Sequence, residues 1–250
     1  MLRTAVPGER LLDIGCGWGA LLMHAAQPYG VNGLGIRLSE PQAELARARI
    51  RGAHLEHLCR IEVADYRDVQ EHGSFNKLVS IGMVEHVGEE KLPEYFVQAF
   101  KLLRPGGLFL NHGIARASSA QAHEAPRFVD RYVFPDGDIV PIENVLREAG
   151  LGGFEVRDVE NLREHYVVTL RHWVCNLENH AGQARQATDE STYRRWRLYM
   201  AGSAHCFETG QLNVYQSLLA KSTDGTAHCR SPGPTGIADA SFAAHSGDLS

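Results

Sequence analysis

The chain has 250 residues, 44% of them hydrophobic, which suits one sizeable core and a single domain with insertions. Its 25 Lys and Arg stand against 30 Asp and Glu, a net charge of -5, so no overall basic field is available to grip nucleic acid. Five cysteines (Cys16, Cys59, Cys175, Cys206 and Cys229) have no CxxC spacing, which argues against a disulfide framework or a zinc ribbon and points to a reducing cytoplasm. No apolar run approaches the about 20 residues that span a bilayer, and the start of the chain lacks a basic-then-apolar signal pattern. Any membrane contact is therefore expected to be peripheral.

The first strand candidate, residues 10–14, runs directly into the loop Gly15-Cys16-Gly17-Trp18-Gly19. A side chain at any of these glycines would restrict the backbone or block a ligand from approaching it. A helix is expected from near Gly19, a strand at 31–36, and a second helix from Ser39-Glu40-Pro41-Gln42. There Ser39 can cap the first turn, Pro41 tolerates an early position, and Gln42 can close a capping box. Further strands are expected at 60–63, 77–81 and 107–111, with a helix starting near Glu89. Strands alternating with helices predict a parallel α/β sheet covered on both faces. After Ala115 the rhythm breaks into an insertion, 116–137, with Phe128, Tyr132 and Phe134 before the turn Pro135-Asp136-Gly137. A helix at 142–149, a strand at 154–159, two longer helices at 166–179 and 190–207, and a last strand at 211–219 follow. Beyond Lys221 the residues turn to Gly, Ser, Ala, Thr, Pro and His without periodicity, which predicts a disordered tail over 221–250.

A glycine loop after a strand serves dinucleotide enzymes and methyltransferases alike. Here the spacing is GxGxG, Asp13 precedes it, and the second strand ends in Ile36-Arg37-Leu38 without the acid that a dinucleotide fingerprint would offer to ribose hydroxyls. His54, His57 and Cys59 imitate metal ligands by spacing alone; they fall at the end of the second helix, away from the rim, with no fourth ligand, and no metal site is expected.

The stretch Leu11 to Gly19 resembles the first motif of class I S-adenosylmethionine (SAM) methyltransferases. With Gly35-Ile36-Arg37-Leu38-Ser39, Asp65-Tyr66-Arg67-Asp68, Ser80-Ile81-Gly82-Met83-Val84-Glu85-His86-Val87-Gly88, Leu103-Arg104-Pro105-Gly106-Gly107, Tyr132-Val133-Phe134-Pro135-Asp136-Gly137 and Tyr199-Met200-Ala201-Gly202, the chain resembles the cyclopropane-fatty-acyl-phospholipid and mycolic acid cyclopropane synthase family. The resemblance implies a Rossmann-like class I fold over residues 1–220, with a mostly parallel seven-stranded sheet, helices on both faces, and insertion and lid regions at 116–137 and 163–207. It implies SAM along Asp13, Gly15, Cys16, Gly17 and Gly19, its ribose near Arg37, Leu38 and Gln42, and its adenine near Asp65 and Tyr66. Residue by residue the alternatives are plain: Gln42 only closing the capping box, Tyr66 only packing, Cys16 only small and apolar beside the loop, and Arg37 standing where the family often has Thr.

The implied reaction carries the SAM methyl to the cis double bond of an unsaturated acyl lipid, and the resulting carbocation closes to a cyclopropane as bound bicarbonate takes a proton. The three implied holders of bicarbonate are Glu85, His112 and Tyr199. Independently of the resemblance, Glu85 and His112 fall at the ends of the fourth and fifth strands, on the rim where open parallel sheets place ligands, and Tyr199 must fold over that rim from a lid. If Glu85 orients the ion, its pKa should be raised. An amine N-methyltransferase is the alternative suggested by Glu85-His86. The sequence begins at Met1-Leu2-Arg3, without the Tyr-Ser-Cys-Ala-Tyr segment that relatives carry before the SAM strand. A SAM-binding remnant with weak turnover is therefore a third expectation. The implied location is the cytoplasm, at the inner membrane surface where lipid is met; the sequence sets no oligomeric state.

Overall fold

A computed structural model describes residues 5–117, 128–135 and 137–223. Of the expected insertion, residues 118–127 and 136 lie outside the described residues, as do residues 224–250 of the expected tail. The strands are β1 (Arg10–Ile14), β2 (Asn32–Arg37), β3 (Cys59–Val63), β4 (Phe75–Ile81), β5 (Leu103–Arg116), β6 (Glu155–Asn161) and β7 (Leu212–Ala220). The helices are α1 (Ala20–Tyr29), α2 (Glu40–Gly52), α3 (Val84–Val87), α4 (Leu92–Leu102), α5 (Phe128–Tyr132), α6 (Ile142–Leu151), α7 (Arg163–Asn179), α8 (Ala181–Ala187) and α9 (Glu190–Glu208).

The strands form one sheet in the order β3-β2-β1-β4-β5-β7-β6. β1 to β5 run parallel, and β7 is antiparallel to both neighbours. The central strands are continuous apolar runs because both their faces are covered. In β1, Leu11 joins the core beneath α1 and α2 with Leu22, Ala43, Ile50 and Val79, while its neighbour Leu12 joins the opposite core of Phe75, Tyr95, Phe96, Phe109 and Phe154. A third cluster, Leu170, Met200, Ala204, Phe207 and Val214, seats α7 and α9 on β7.

Three expectations change. β5 is longer than the expected 107–111, because β7 pairs with it from Leu108 to Arg116 and carries it beyond the rim that β4 alone would define. Ser39 is the N-cap of α2 without a side-chain capping bond. Its carbonyl instead accepts from Ala43 N–H and from Arg37. Lys221, expected to begin the tail, belongs to the fold: its N–H donates to Gly107 O, and its ammonium donates to Phe100 O and Leu103 O at 2.7 and 2.8 Å.

Candidate active site

The loop between β1 and α1 turns through three left-handed residues, Gly15, Gly17 and Gly19, at φ 81°, 55° and 75°, a conformation that costs glycine nothing. It is fastened from β2. Gly15 and Cys16 N–H donate to Ile36 O at 3.0 and 3.1 Å, and Arg37 donates from Nη1 to Gly17 O at 2.9 Å and from Nε to Ser39 O at 3.1 Å. Arg37 therefore holds the tip of the loop. A Cβ on Gly17 would meet nothing within 4 Å, so that side of the loop is open. Trp18 and Leu38 flank it, 52% and 70% exposed.

Below the loop Asp13 is buried, and burial alone pushes its carboxyl up to about 7. Burial, with Asp13 nearby, pushes the Cys16 thiol up to about 12, so it stays protonated and serves as a small apolar filler. Gln42 is half-buried in the first turn of α2. Asp65 accepts from Arg67 N–H and Nε at 2.9 Å and from Nη2 at 2.7 Å. That hydrogen bonding holds its carboxyl below the usual range. The Tyr66 ring is buried edge-on against Tyr95, 5.4 Å between centroids, and its carbonyl accepts from Gln98 at 3.2 Å.

The second cluster lies where β4 and β5 end their pairing. Gly82 N–H donates to His112 O at 2.9 Å, and the chain then winds into α3. Glu85 sits in that helix, not at a strand end as expected, and His112 sits within β5, opposite Ile81, because β7 extends β5 past it. Ile114 N–H donates to Glu85 Oε1 at 2.7 Å. Gly113 makes the approach feasible: a Cβ there would stand 2.2 Å from a Val84 methyl and 3.4 Å from Glu85 Oε2.

Among the described residues, the buried side-chain polar atoms without a partner are Ser80 Oγ, Glu85 Oε2 and His112 Nδ1. Leaving such atoms unsatisfied costs about 1–3 kcal/mol each. Burial raises the Glu85 carboxyl, in the direction expected, and lowers His112, so each is pushed toward its neutral form. Tyr199, on α9, is raised by burial with a contribution from Glu85, and so is Tyr166 on α7, with contributions from Tyr199 and Glu85. The structure thus brings Glu85 and Tyr199 into one electrostatic neighbourhood. Phe134 packs beside Tyr199: its ring centroid lies 5.7 Å from that of His86, 5.5 Å from Tyr199 and 6.3 Å from Trp196.

Sequence reasoning missed the loop bonds of Arg37, the main-chain bond from Ile114 to Glu85, and Tyr166. The first two are side chains meeting backbone, which leaves no mark in residue spacing. Tyr166 stood in a conspicuous apolar stretch, yet only the packing of α7 against α9 points it toward Tyr199.

The strand order, the antiparallel β7 and the glycine loop after β1 define a class I SAM-dependent methyltransferase fold. Residues 3–217 match the mycolic acid cyclopropane synthetase family, and the chain belongs to that family. It is 43% identical over 217 residues to a probable fatty acid methyltransferase of Pseudomonas putida, covering 86% of this chain and 55% of that protein. The structure of the cyclopropane synthase MmaA2 from Mycobacterium tuberculosis superposes with a TM-score of 0.81 at 32% identity, covering 87% of this chain and 80% of that one. That of the mycolic acid cyclopropane synthase CmaA1, complexed with SAH and CTAB, gives 0.80 at 32% identity, with 86% and 79% covered. The chain spans about half the length of two curated relatives, 55% and 50% of them. No helix among the described residues is long and apolar enough to cross a membrane.

Proposed function

We propose that the protein transfers a methyl group from SAM to the cis double bond of an unsaturated acyl lipid and closes a cyclopropane ring. The observation that carries this is the pair of unpartnered buried atoms, Glu85 Oε2 and His112 Nδ1, near the end of the β4–β5 pairing, with Tyr199 close enough to Glu85 to feel its charge. Family membership and the names of relatives, a probable fatty acid methyltransferase and cyclopropane mycolic acid synthases, support an acyl substrate.

The residues fit SAM: the left-handed loop presents main chain to an open space, and exposed Trp18 and Leu38 offer apolar walls. Asp13, Gly15, Cys16, Gly17 and Gly19 would line it, with Arg37, Leu38 and Gln42 toward the ribose and Asp65 and Tyr66 toward the adenine. Arg37 acts there through Gly17, and Tyr66 through the hydrophobic floor. When bound, SAM supplies an electrophilic methyl. The second cluster fits bicarbonate: it offers an unpartnered carboxylate oxygen and an unpartnered imidazole nitrogen, which suit an ion that both donates and accepts hydrogen bonds. When bound, bicarbonate supplies a small base.

Glu85, fixed by Ile114 N–H, would accept a hydrogen bond from the ion at Oε2; its raised pKa lets it take up a proton without leaving the site. His112, neutral by burial, is oriented from β5. Tyr199 donates from above, and Phe134 and Trp196 keep water from the cation that forms on the acyl chain. An isolated alkene is a poor nucleophile, so exclusion of water and correct placement carry most of the chemistry.

Incubation with SAM and unsaturated phospholipid vesicles tests the reading. SAH should accumulate with cyclopropane lipid, and removal of bicarbonate should lower the rate. SAH formation without modified lipid, or indifference to bicarbonate, would overturn the acyl assignment or the ion site respectively.

A further inference from the structure

The segment between α5 and α6 crosses the Glu85 turn and is hydrogen-bonded to it through Asp138. Asp138 N–H donates to Glu85 O at 2.7 Å, and Glu89 N–H donates to Asp138 Oδ2 at 2.9 Å. The side chain thus caps the short 3-10 turn at Glu89–Lys91 while the main chain grips Glu85 itself. Gly88 lies beneath the carboxylate in a left-handed conformation, φ 78°, where a Cβ would stand 3.5 Å from Asp138 Oδ2. Asn144 of α6 adds a second tie, donating to Glu89 Oε1 at 2.6 Å.

Four positions earlier the same segment carries Phe134, whose ring meets His86 on the Glu85 turn and Tyr199 on the lid. Two positions later Val140 is buried, and its carbonyl accepts from Arg116 N–H at 3.3 Å. The segment is therefore anchored to the sheet at Val140, to the turn at Asp138, and to the lid at Phe134.

We propose that Asp138 is a positioning residue, the pin that sets the Glu85 turn against the Phe134 and Tyr199 side of the site. This rests on the reading of Glu85 and Tyr199 as catalytic. The Glu85 carboxylate is held by Ile114 N–H, and the main-chain bond from Asp138 N–H to Glu85 O persists in side-chain variants, so loss of the Asp138 cap lets the Glu89 end of the turn shift about these two bonds and moves Oε2 relative to Tyr199. A displacement of this kind far from the reacting bond lowers turnover more than cofactor affinity.

The test compares Asp138→Ala, which removes the acceptor, with Asp138→Asn, which keeps an oxygen for Glu89 N–H, and Asp138→Ser, a shorter cap that guards against misfolding. Asp138→Ala should lower kcat at least about tenfold while SAH affinity stays unchanged, and Asp138→Asn should restore most of the loss. Two readouts need no turnover. Amide exchange at Gly88 and Glu89 should accelerate in Asp138→Ala. With Trp18 and Trp173 replaced by Phe, Trp196 is the one tryptophan left of three, and its emission should shift red as Phe134 lifts away. Unchanged exchange and emission in Asp138→Ala overturn the pin, and so does unchanged kcat. An Asn variant as impaired as the Ala variant overturns the capping account in favour of the charge. If the parent turns over no acyl substrate while exchange and emission respond as stated, the pin stands and the catalytic reading fails.

Discussion

Single buried carboxyls carry the same electrostatic burden in the two halves of the site. Asp13 is placed where its charge is costly, since burial raises its carboxyl from 3.8 to about 7. The fold then holds a proton that the unfolded chain releases, so stability declines as pH rises between those two values. Asp13→Asn should accordingly raise Tm over the parent by more at about pH 8 than at about pH 5, as thermal melts at the two pH values would read. An equal gain at both would contradict a raised Asp13. Glu85 presents the same sign, and in the proposed reaction it takes up a proton. Glu85→Gln keeps the shape and the bond from Ile114 but loses the proton acceptor, so turnover should fall by about 100-fold or more while calorimetry finds SAH affinity unchanged. Gly113 sets how closely the two approach, and Gly113→Ala should destabilise by about 1–3 kcal/mol because Val84 has nowhere to go; denaturant titration measures this.

Elements differ in how far their residues announced them. β1 was legible to the residue, Arg10–Ile14, because a short apolar run bounded by a charged residue and a glycine loop admits one reading. The start of α4 was less so. Near Glu89 a 3-10 turn comes first, and the α-helix begins at Leu92, because Gly88 and the Asp138 cap hold the first turn in a tighter winding. The length of β5 could not be read locally, since it depends on pairing with β7, some hundred residues later in the chain. The same holds for the lid. α7 and α9 were expected as helices, but their seat, Leu170 and Phe207 against Val214, is a tertiary fact. Phe207→Ala should cost about 3–5 kcal/mol, and it should lower turnover as well by loosening the helix that carries Tyr199. Retained turnover in a destabilised variant would detach the lid from the chemistry.

At the scale of the whole molecule, the parallel sheet places the glycine loop and the Glu85 turn on the same edge, at the ends of β1 and β4, which are hydrogen-bonded neighbours. This is why a motif near the start of the chain and another some seventy residues on can serve one reaction. Those two motifs were legible because their chemistry is written in contiguous residues. The meeting of His86, Phe134 and Tyr199 was not, because it joins a helix turn, a crossing segment and a lid helix that only the fold brings together. In the proposed reaction the transferred methyl loses a proton at this junction. The most direct test of that loss is the mass of the lipid formed from SAM bearing a fully deuterated methyl. Cyclopropane closure leaves two of the three deuterons in the lipid; a product retaining all three, whether a methylated acyl chain or a methylated amine, rules out proton loss from the methyl.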